Sequence, residues 1–178
     1  MVTSVQEIIQ ESNESIFLKK GLNVKLLRHC KYVIPTLAEW TYEEWHSYDA
    51  SLTKEKLISR LNDRLQDDQI PLTLVLFKGS IPIGSVSLKK QKDPDLLALS
   101  KDSPWLGSLS VIQEKRNKGL GEKLLNLSKA LAKSLGYNEI FLYTSNPRRL
   151  SWYQKRGAVF IREQAFRSHT ISVLKVVL

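Results

Sequence analysis

Apolar residues recur along the chain at two spacings, and the alternation between them predicts a mixed α/β protein. The longest helical pattern covers residues 119–135, where Leu120, Leu124, Leu127, Leu131 and Leu135 fall on one face. Gly136 follows as a stop that tolerates left-handed backbone. A second helical pattern carries Val33, Ile34, Leu37 and Trp40, with Pro35 in its first turn and an aromatic-rich exit at Trp40, Tyr42, Trp45 and Tyr48. A third, capped by Ser51 or Thr53, aligns Leu57, Leu61 and Leu65 and ends in residues 66–69. A fourth starts at Pro147 and runs to about Arg156, where Gly157 ends it.

Between these lie shorter runs with strand character, over residues 24–27, 72–77, 81–88, 105–112, 139–144, 158–166 and 171–177. The pair 72–77 and 81–88 reads as a hairpin through Lys78-Gly79-Ser80, with Pro82 limiting its first ladder bond. The last two strands form a second hairpin through a turn at residues 167–170, which places His169 in solvent. Residues 91–104 read as loop, and residues 1–20 as a short helix in a peripheral extension. One domain over residues 21–178 remains, with a strand–helix–strand crossover at its centre. Its 178 residues suffice for one sizeable core.

Composition narrows the chemistry. Cys30 is the single cysteine, so an intrachain disulfide is excluded; it reads as a buried thiol. A nucleophilic role would need a base, and the adjacent His29 is turned away on a helix. His29, His46 and His169 are scattered without ligand spacing, so no metal site is expected. No run approaches a membrane span, and the first seven residues lack a signal-like basic and apolar pattern. Cytoplasmic residence is the expectation, as a monomer or homodimer.

The net charge is +9, which attracts nucleic acid, membranes and phosphorylated cofactors alike. Residues 111–135 hold six basic side chains against two acidic ones, and residues 145–167 six against one. These two segments account for the whole excess. The first contains Val111-Ile112-Gln113-Glu114-Lys115-Arg116-Asn117-Lys118-Gly119-Leu120-Gly121, with a strand entering and the longest helix leaving. Helix-start N–H groups lack intrahelical acceptors, and glycines there let a diphosphate approach the backbone. A bare Gly-x-Gly reads equally as a glycine-relieved loop with a solvated basic face. No Gly-Lys-Ser/Thr and no third fingerprint glycine is present, so the signal fits neither an ATPase phosphate loop nor a dinucleotide fold.

Arg116-Asn117-Lys118-Gly119-Leu120-Gly121 resembles the Arg/Gln-x-x-Gly-x-Gly/Ala signature of the GNAT superfamily of acyl-CoA N-acyltransferases. Residues 104–111 resemble that family's fourth strand, and the helix after the glycine motif together with residues 136–143 resembles its third helix and fifth strand. Asn146 and the segment Leu150-Ser151-Trp152-Tyr153-Gln154-Lys155-Arg156-Gly157-Ala158 resemble the stretch that follows. Ala158 replaces the aromatic expected after the glycine. The resemblance implies a central mixed sheet of six or seven strands, flanked by helices, with strands four and five splayed around acetyl-CoA.

It further implies roles. Backbone groups of Leu109, Ser110 and Val111 hold pantetheine, with the Val111 N–H as donor to the thioester oxygen. Residues Arg116, Asn117, Lys118, Gly119, Leu120, Gly121 and Glu122 hold the phosphates. Tyr153 acts as general acid, against the plainer reading of a docked aromatic. Asn146 binds cofactor amides or caps the helix before Pro147.

The fourth strand offers Ser108 and Ser110 but no carboxylate, so Glu43, Glu44 or His46 is the candidate base, with Glu44 foremost. Trp40, Tyr42, Glu43, Glu44 and Trp45 combine aromatic faces with carboxylates and are expected to bind a cationic amine. The 91–104 loop and the final hairpin turn are expected beside them. The resemblance is to bacterial members of unassigned substrate, and more distantly to N-terminal protein acetyltransferases. It implies transfer to a small amine first, and to a peptide N-terminus or lysine second. A non-catalytic acyl-CoA sensor and a nucleic-acid-binding module are the competing readings; no nucleic-acid or membrane partner is expected.

Overall fold

A computed structural model describes residues 3–47, 49–100 and 102–178. Seven strands form one sheet: β1 (Leu22–Leu26), β2 (Leu72–Lys78), β3 (Ile81–Lys89), β4 (Trp105–Val111), β5 (Glu139–Thr144), β6 (Val159–Phe166) and β7 (His169–Val177). Their order is β1-β2-β3-β4-β5-β7-β6. All neighbours are antiparallel except β4 and β5, which run parallel. That pair meets at one position, Trp105 opposite Phe141, where the Phe141 N–H donates to the Pro104 carbonyl at 2.9 Å. Beyond it the two strands separate, as the family resemblance implied.

The separation has a local cause. Between Ser85 and Ser87 the β3–β4 register slips, so that β4 carries one residue more than its partner. Ser108 adopts φ 53° within this bulge, a conformation rare outside glycine. A bulge bends its strand and adds local twist, which directs the end of β4 away from β5. Gly84 permits the close return to β4; a β-carbon there would sit 2.9 Å from the Ser110 carbonyl oxygen.

Among the described residues, six α-helices flank the sheet: α1 (Val5–Ser12), α2 (Ile34–Trp45), α3 (Lys54–Asn62), α4 (Pro94–Leu97), α5 (Leu120–Ser134) and α6 (Pro147–Gln154). The leucine face of α5 lies on one side, with Leu120, Leu124, Leu127 and Leu131 buried against Leu72, Leu74, Leu76, Ile83 and Val86. Burying each such leucine stabilises the fold by about 1.5–3 kcal/mol. On the other side Leu37, Ala38, Leu57 and Leu61 cover Val75 and Phe77. The nearly continuous apolar run of β2, interrupted by buried Thr73, thus reflects burial on both faces.

Several sequence expectations change. The N-terminal segment joins the main core through Val5, Ile9 and Phe17, and a capping box between Ser4 and Glu7 starts its helix. Trp40, Tyr42 and Trp45 belong to α2 itself, because nothing in that stretch breaks the helix; Tyr48 lies outside the described residues. Thr53 caps α3, while Ser51 donates to Asp49; Leu65 leaves the helix and bridges to Leu72. Pro94 in the first turn after an Asp93 cap converts part of the 91–104 loop into a single helical turn. The last hairpin turns on Arg167 and Ser168 alone, which brings half-buried His169 into β7. Among the described residues, no helix is long and apolar enough to cross a membrane.

Candidate active site

Three cavities follow one another along β4. The largest, about 550 Å³, opens between the end of β4, the start of α5 and α6. Leu109, Ser110, Val111, Arg116, Asn117, Gly119, Leu120, Gly121, Glu122 and Tyr153 line it, as does Glu44. A neck of about 70 Å³ continues past Trp40, Trp45, Gly107 and Ser108. A chamber of about 180 Å³ lies beyond, between α2, α3 and the sheet. The large cavity and the neck share Glu44, Leu109, Ser110, Arg149 and Tyr153.

Gly119 opens α5 in the left-handed conformation, φ 72°, with no side chain capping the helix. The first ladder bond runs from the Lys123 N–H to the Gly119 carbonyl at 3.1 Å. The N–H groups of Leu120, Gly121 and Glu122 therefore have no intrahelical acceptor and face an anion-favouring helix end. At Gly121 a β-carbon would meet Trp152 at 3.6 Å, so a longer side chain would enter the space between α5 and α6. Arg156 stacks over Trp152 at 4.1 Å and donates to Glu122 at 3.0 Å, yet its buried Nε lacks an acceptor. Uncapped helix amides, a glycine-cleared wall and an orphaned guanidinium N–H around one cavity fit a phosphate-bearing handle.

The β4 side supplies backbone groups. The Ile112 N–H donates to the Ile83 carbonyl at 3.0 Å, and Gly84 stands opposite Val111. Antiparallel partners alternate, so the polar groups of Val111 point the other way, into the gap towards β5. The Val111 carbonyl accepts from Arg116 Nε at 2.8 Å. That contact leaves the Val111 N–H facing the gap.

Tyr153 packs edge-on against Trp152, with ring centroids 5.0 Å apart. Burial, partly opposed by Arg149, pushes its phenol up to about 12, so it keeps its proton at neutral pH. Glu44 is ion-paired with Arg149. Asn146 accepts from the Arg148 and Arg149 N–H groups at 2.9 and 3.2 Å, which is a helix cap.

Lys118 is exposed and donates to the Glu114 carbonyl at 3.3 Å, outside the cavity lining. Tyr42 stacks on His46 with centroids 4.7 Å apart, and exposed Glu43 lines none of the three cavities. The described residues of the 91–104 loop contribute nothing to them either. Cys30 is buried and donates to the Leu26 carbonyl, and burial pushes its thiol up to about 11.

Sequence reasoning missed Lys115, Arg149, Trp152 and Arg156 at the large cavity, and Arg60, Arg64, Lys89 and Tyr143 at the chamber. The first four lie inside the two basic tracts, where charge density was the available signal. Nothing local marks the second four, which the sheet and α3 assemble from distant segments.

The model of the acetyltransferase (GNAT) family matches residues 34–158. No curated protein sequence matches the chain. Among solved structures, an acetyltransferase from Streptococcus agalactiae superposes with a TM-score of 0.68 at 15% identity, over 89% of this chain and 99% of that one. The Salmonella typhimurium protein yncA, solved with its cofactor acetyl-CoA, gives 0.66 at 14% identity over 89% and 94%. An acetyltransferase from Thermus thermophilus gives 0.60 at 20% identity over 88% and 97%. At these identities the likeness is one of fold.

Proposed function

The chain belongs to the GNAT acetyltransferase family, and on that premise we propose that it transfers the acetyl group of acetyl-CoA to a primary amine of a small molecule. The transfer takes place by direct attack in a ternary complex. The observation that carries this reading is the junction at Tyr153, where a cofactor-sized cavity meets a narrow neck leading to a second chamber. Cofactor and acceptor can then enter from opposite ends and meet beside one proton donor.

Bound acetyl-CoA supplies an acyl group activated as a thioester, together with a thiol leaving group. The chain's residues divide the remaining work. The amides of Leu120, Gly121 and Glu122 hold the diphosphate, with Arg116 and Arg156 adding positive charge. Leu109, Ser110 and Val111 offer backbone groups along β4, and the Val111 N–H stabilises an oxygen that gains negative charge beside it. Tyr153, protonated at neutral pH, donates its phenolic proton to the departing sulfur. Glu44 takes the proton of the incoming amine; among the described residues it is the one carboxylate shared by cavity and neck, and Arg149 holds it there. A covalent enzyme intermediate is unnecessary, since transfer needs no nucleophile beyond the amine.

The test is thiol release from acetyl-CoA across a panel of small amines and short peptides. Release with a small amine, well above hydrolysis, is expected. Release with peptides alone would overturn the small-molecule reading, and no release with either would overturn transfer itself.

A further inference from the structure

The chamber beyond the neck is strongly cationic. Arg60, Arg64, Lys89 and Arg167 all line it, from α3 and the turn after it, from β3 and from the β6–β7 turn. Among the described residues, Arg60, Arg64 and Lys89 form no salt bridge. Arg64 donates instead to two neutral hydroxyls, Ser87 at 3.3 Å and Ser108 at 3.4 Å, and so is tied to the β4 bulge. Asp49 is the one carboxylate in the lining, and Arg167 and Ser51 already engage it. Asp63 acts on Arg64 from outside the lining and is outweighed by burial and by Arg60.

These charges are held together at a cost. Burial first, then Arg64, Arg60 and Arg167, push the Lys89 ammonium down to about 7. Burial and Arg60 likewise push Arg64 down to about 10. Like charges gathered in a partly desolvated space favour a counter-charge there. Three potential donors outside any salt bridge, with Asp49 and Asp63 acting on Arg60 and Arg64 only at longer range, give such a group directed, charge-assisted hydrogen bonds.

Position makes the chamber part of the acceptor path. It shares Thr41, Trp45, Leu106, Gly107, Ser108 and Tyr143 with the neck, and the neck reaches Tyr153. Neither carboxylate expected to anchor a cationic substrate gives the chamber negative charge: Glu43 is exposed, and Glu44, outside the chamber lining, has its charge offset by Arg149. We propose that this chamber binds an anion, and that the acceptor is a small primary amine carrying a carboxylate or phosphate at its far end. The anionic group sits among Arg60, Arg64 and Lys89 while the amine passes through the neck to Tyr153. This rests on the acetyl-transfer reading for the amine end, but the anion site stands on its own geometry.

Two measurements separate those parts. In the first, thiol release is compared for β-alanine and O-phosphoethanolamine against β-alaninamide, ethanolamine and spermidine. The anionic members are expected to show kcat/KM at least tenfold higher, and whichever of the two prevails identifies carboxylate or phosphate. In the second, glutarate and inorganic phosphate are titrated calorimetrically into the coenzyme A-loaded protein, its Lys89→Met variant and its Arg64→Gln variant. At least one anion is expected to bind the parent protein and to lose tenfold or more in affinity in both variants, with coenzyme A affinity unchanged. Equal kcat/KM for charged and neutral amines overturns the proposal, as does anion binding that survives both substitutions. Preference for long acidic peptides over every small amine overturns it too, by placing the acceptor outside the chamber. Variant-sensitive anion binding without any acetyl transfer would support the anion site while removing the reading on which its substrate role rests.

Discussion

The side chain of Lys89 lies across Gly107 so closely that a β-carbon at 107 would overlap its Cε and Nζ. The glycine thus acts as the floor on which the ammonium rests, at the boundary between neck and chamber. Gly107→Ala displaces the flexible end of a lysine rather than backbone, so its effect on stability stays within about 1 kcal/mol. The expected outcome is a near-unchanged Tm with a severalfold higher KM for anionic amines. A large loss of Tm would mean that the lysine cannot yield.

Tyr153→Phe keeps the packing on Trp152 and removes the proton. We expect kcat to fall by roughly 10²–10⁴-fold, while the coenzyme A Kd measured by calorimetry changes less than about twofold. With the phenol held near 12, its ionisation contributes no alkaline limb to the parent rate profile below pH 10. Unaltered turnover in the variant would remove Tyr153 from the chemistry.

Gly119 and Gly121 serve the same helix end in different ways. At Gly119 the positive φ strains any other residue, at about 1 kcal/mol for alanine. At Gly121 a leucine would grow towards Trp152 into the cavity wall. Gly121→Leu is expected to weaken coenzyme A at least tenfold at nearly constant Tm, whereas Gly119→Val lowers both affinity and Tm. Intact affinity in both variants would place the diphosphate elsewhere.

Lys89 also sets a pH dependence of stability. Its ordinary value is 10.5 and its folded value about 7, so between them the unfolded chain binds a proton that the native chain releases. Stability from this group is complete above about pH 10.5 and is lost as the pH falls through 7. Tyr153 and Cys30 act in the opposite sense: raised to about 12 and 11, they withdraw stability as the pH climbs above their ordinary values of 10 and 9. Lys89→Met is expected to raise stability at pH 7 by about 1–2 kcal/mol and to flatten the rise between pH 7 and 9. Urea titrations at several pH values read both effects.

Much of this architecture is legible in the sequence because local rules and tertiary packing agree. The leucine spacing of α5 and the turn residues Gly79, Gly136 and Gly157 fix where elements start and stop. The helix start proposed to hold the pyrophosphate is legible because its residues are contiguous. The Ser108 bulge is not, since a serine in left-handed backbone leaves no local signature. The chamber is hidden for another reason: Arg64 and Lys89 are ordinary surface residues by pattern, and only the docking of the turn after α3 onto the sheet brings them together. Trp40, Tyr42 and Glu43 illustrate the reverse, since periodicity placed them in one region but not on one face of α2.

The supernumerary residue in β4 has a consequence for how the slot tolerates change. Because Val111 offers a main-chain amide, exchange of the side chains at 109 and 110 for others of similar size leaves that donor in place. Shortening the strand by one residue is a different matter: it would remove the bulge, leave Ser110 and Val111 in register with β3, and straighten β4 so that it runs alongside β5. The slot is therefore robust to spelling and fragile to length.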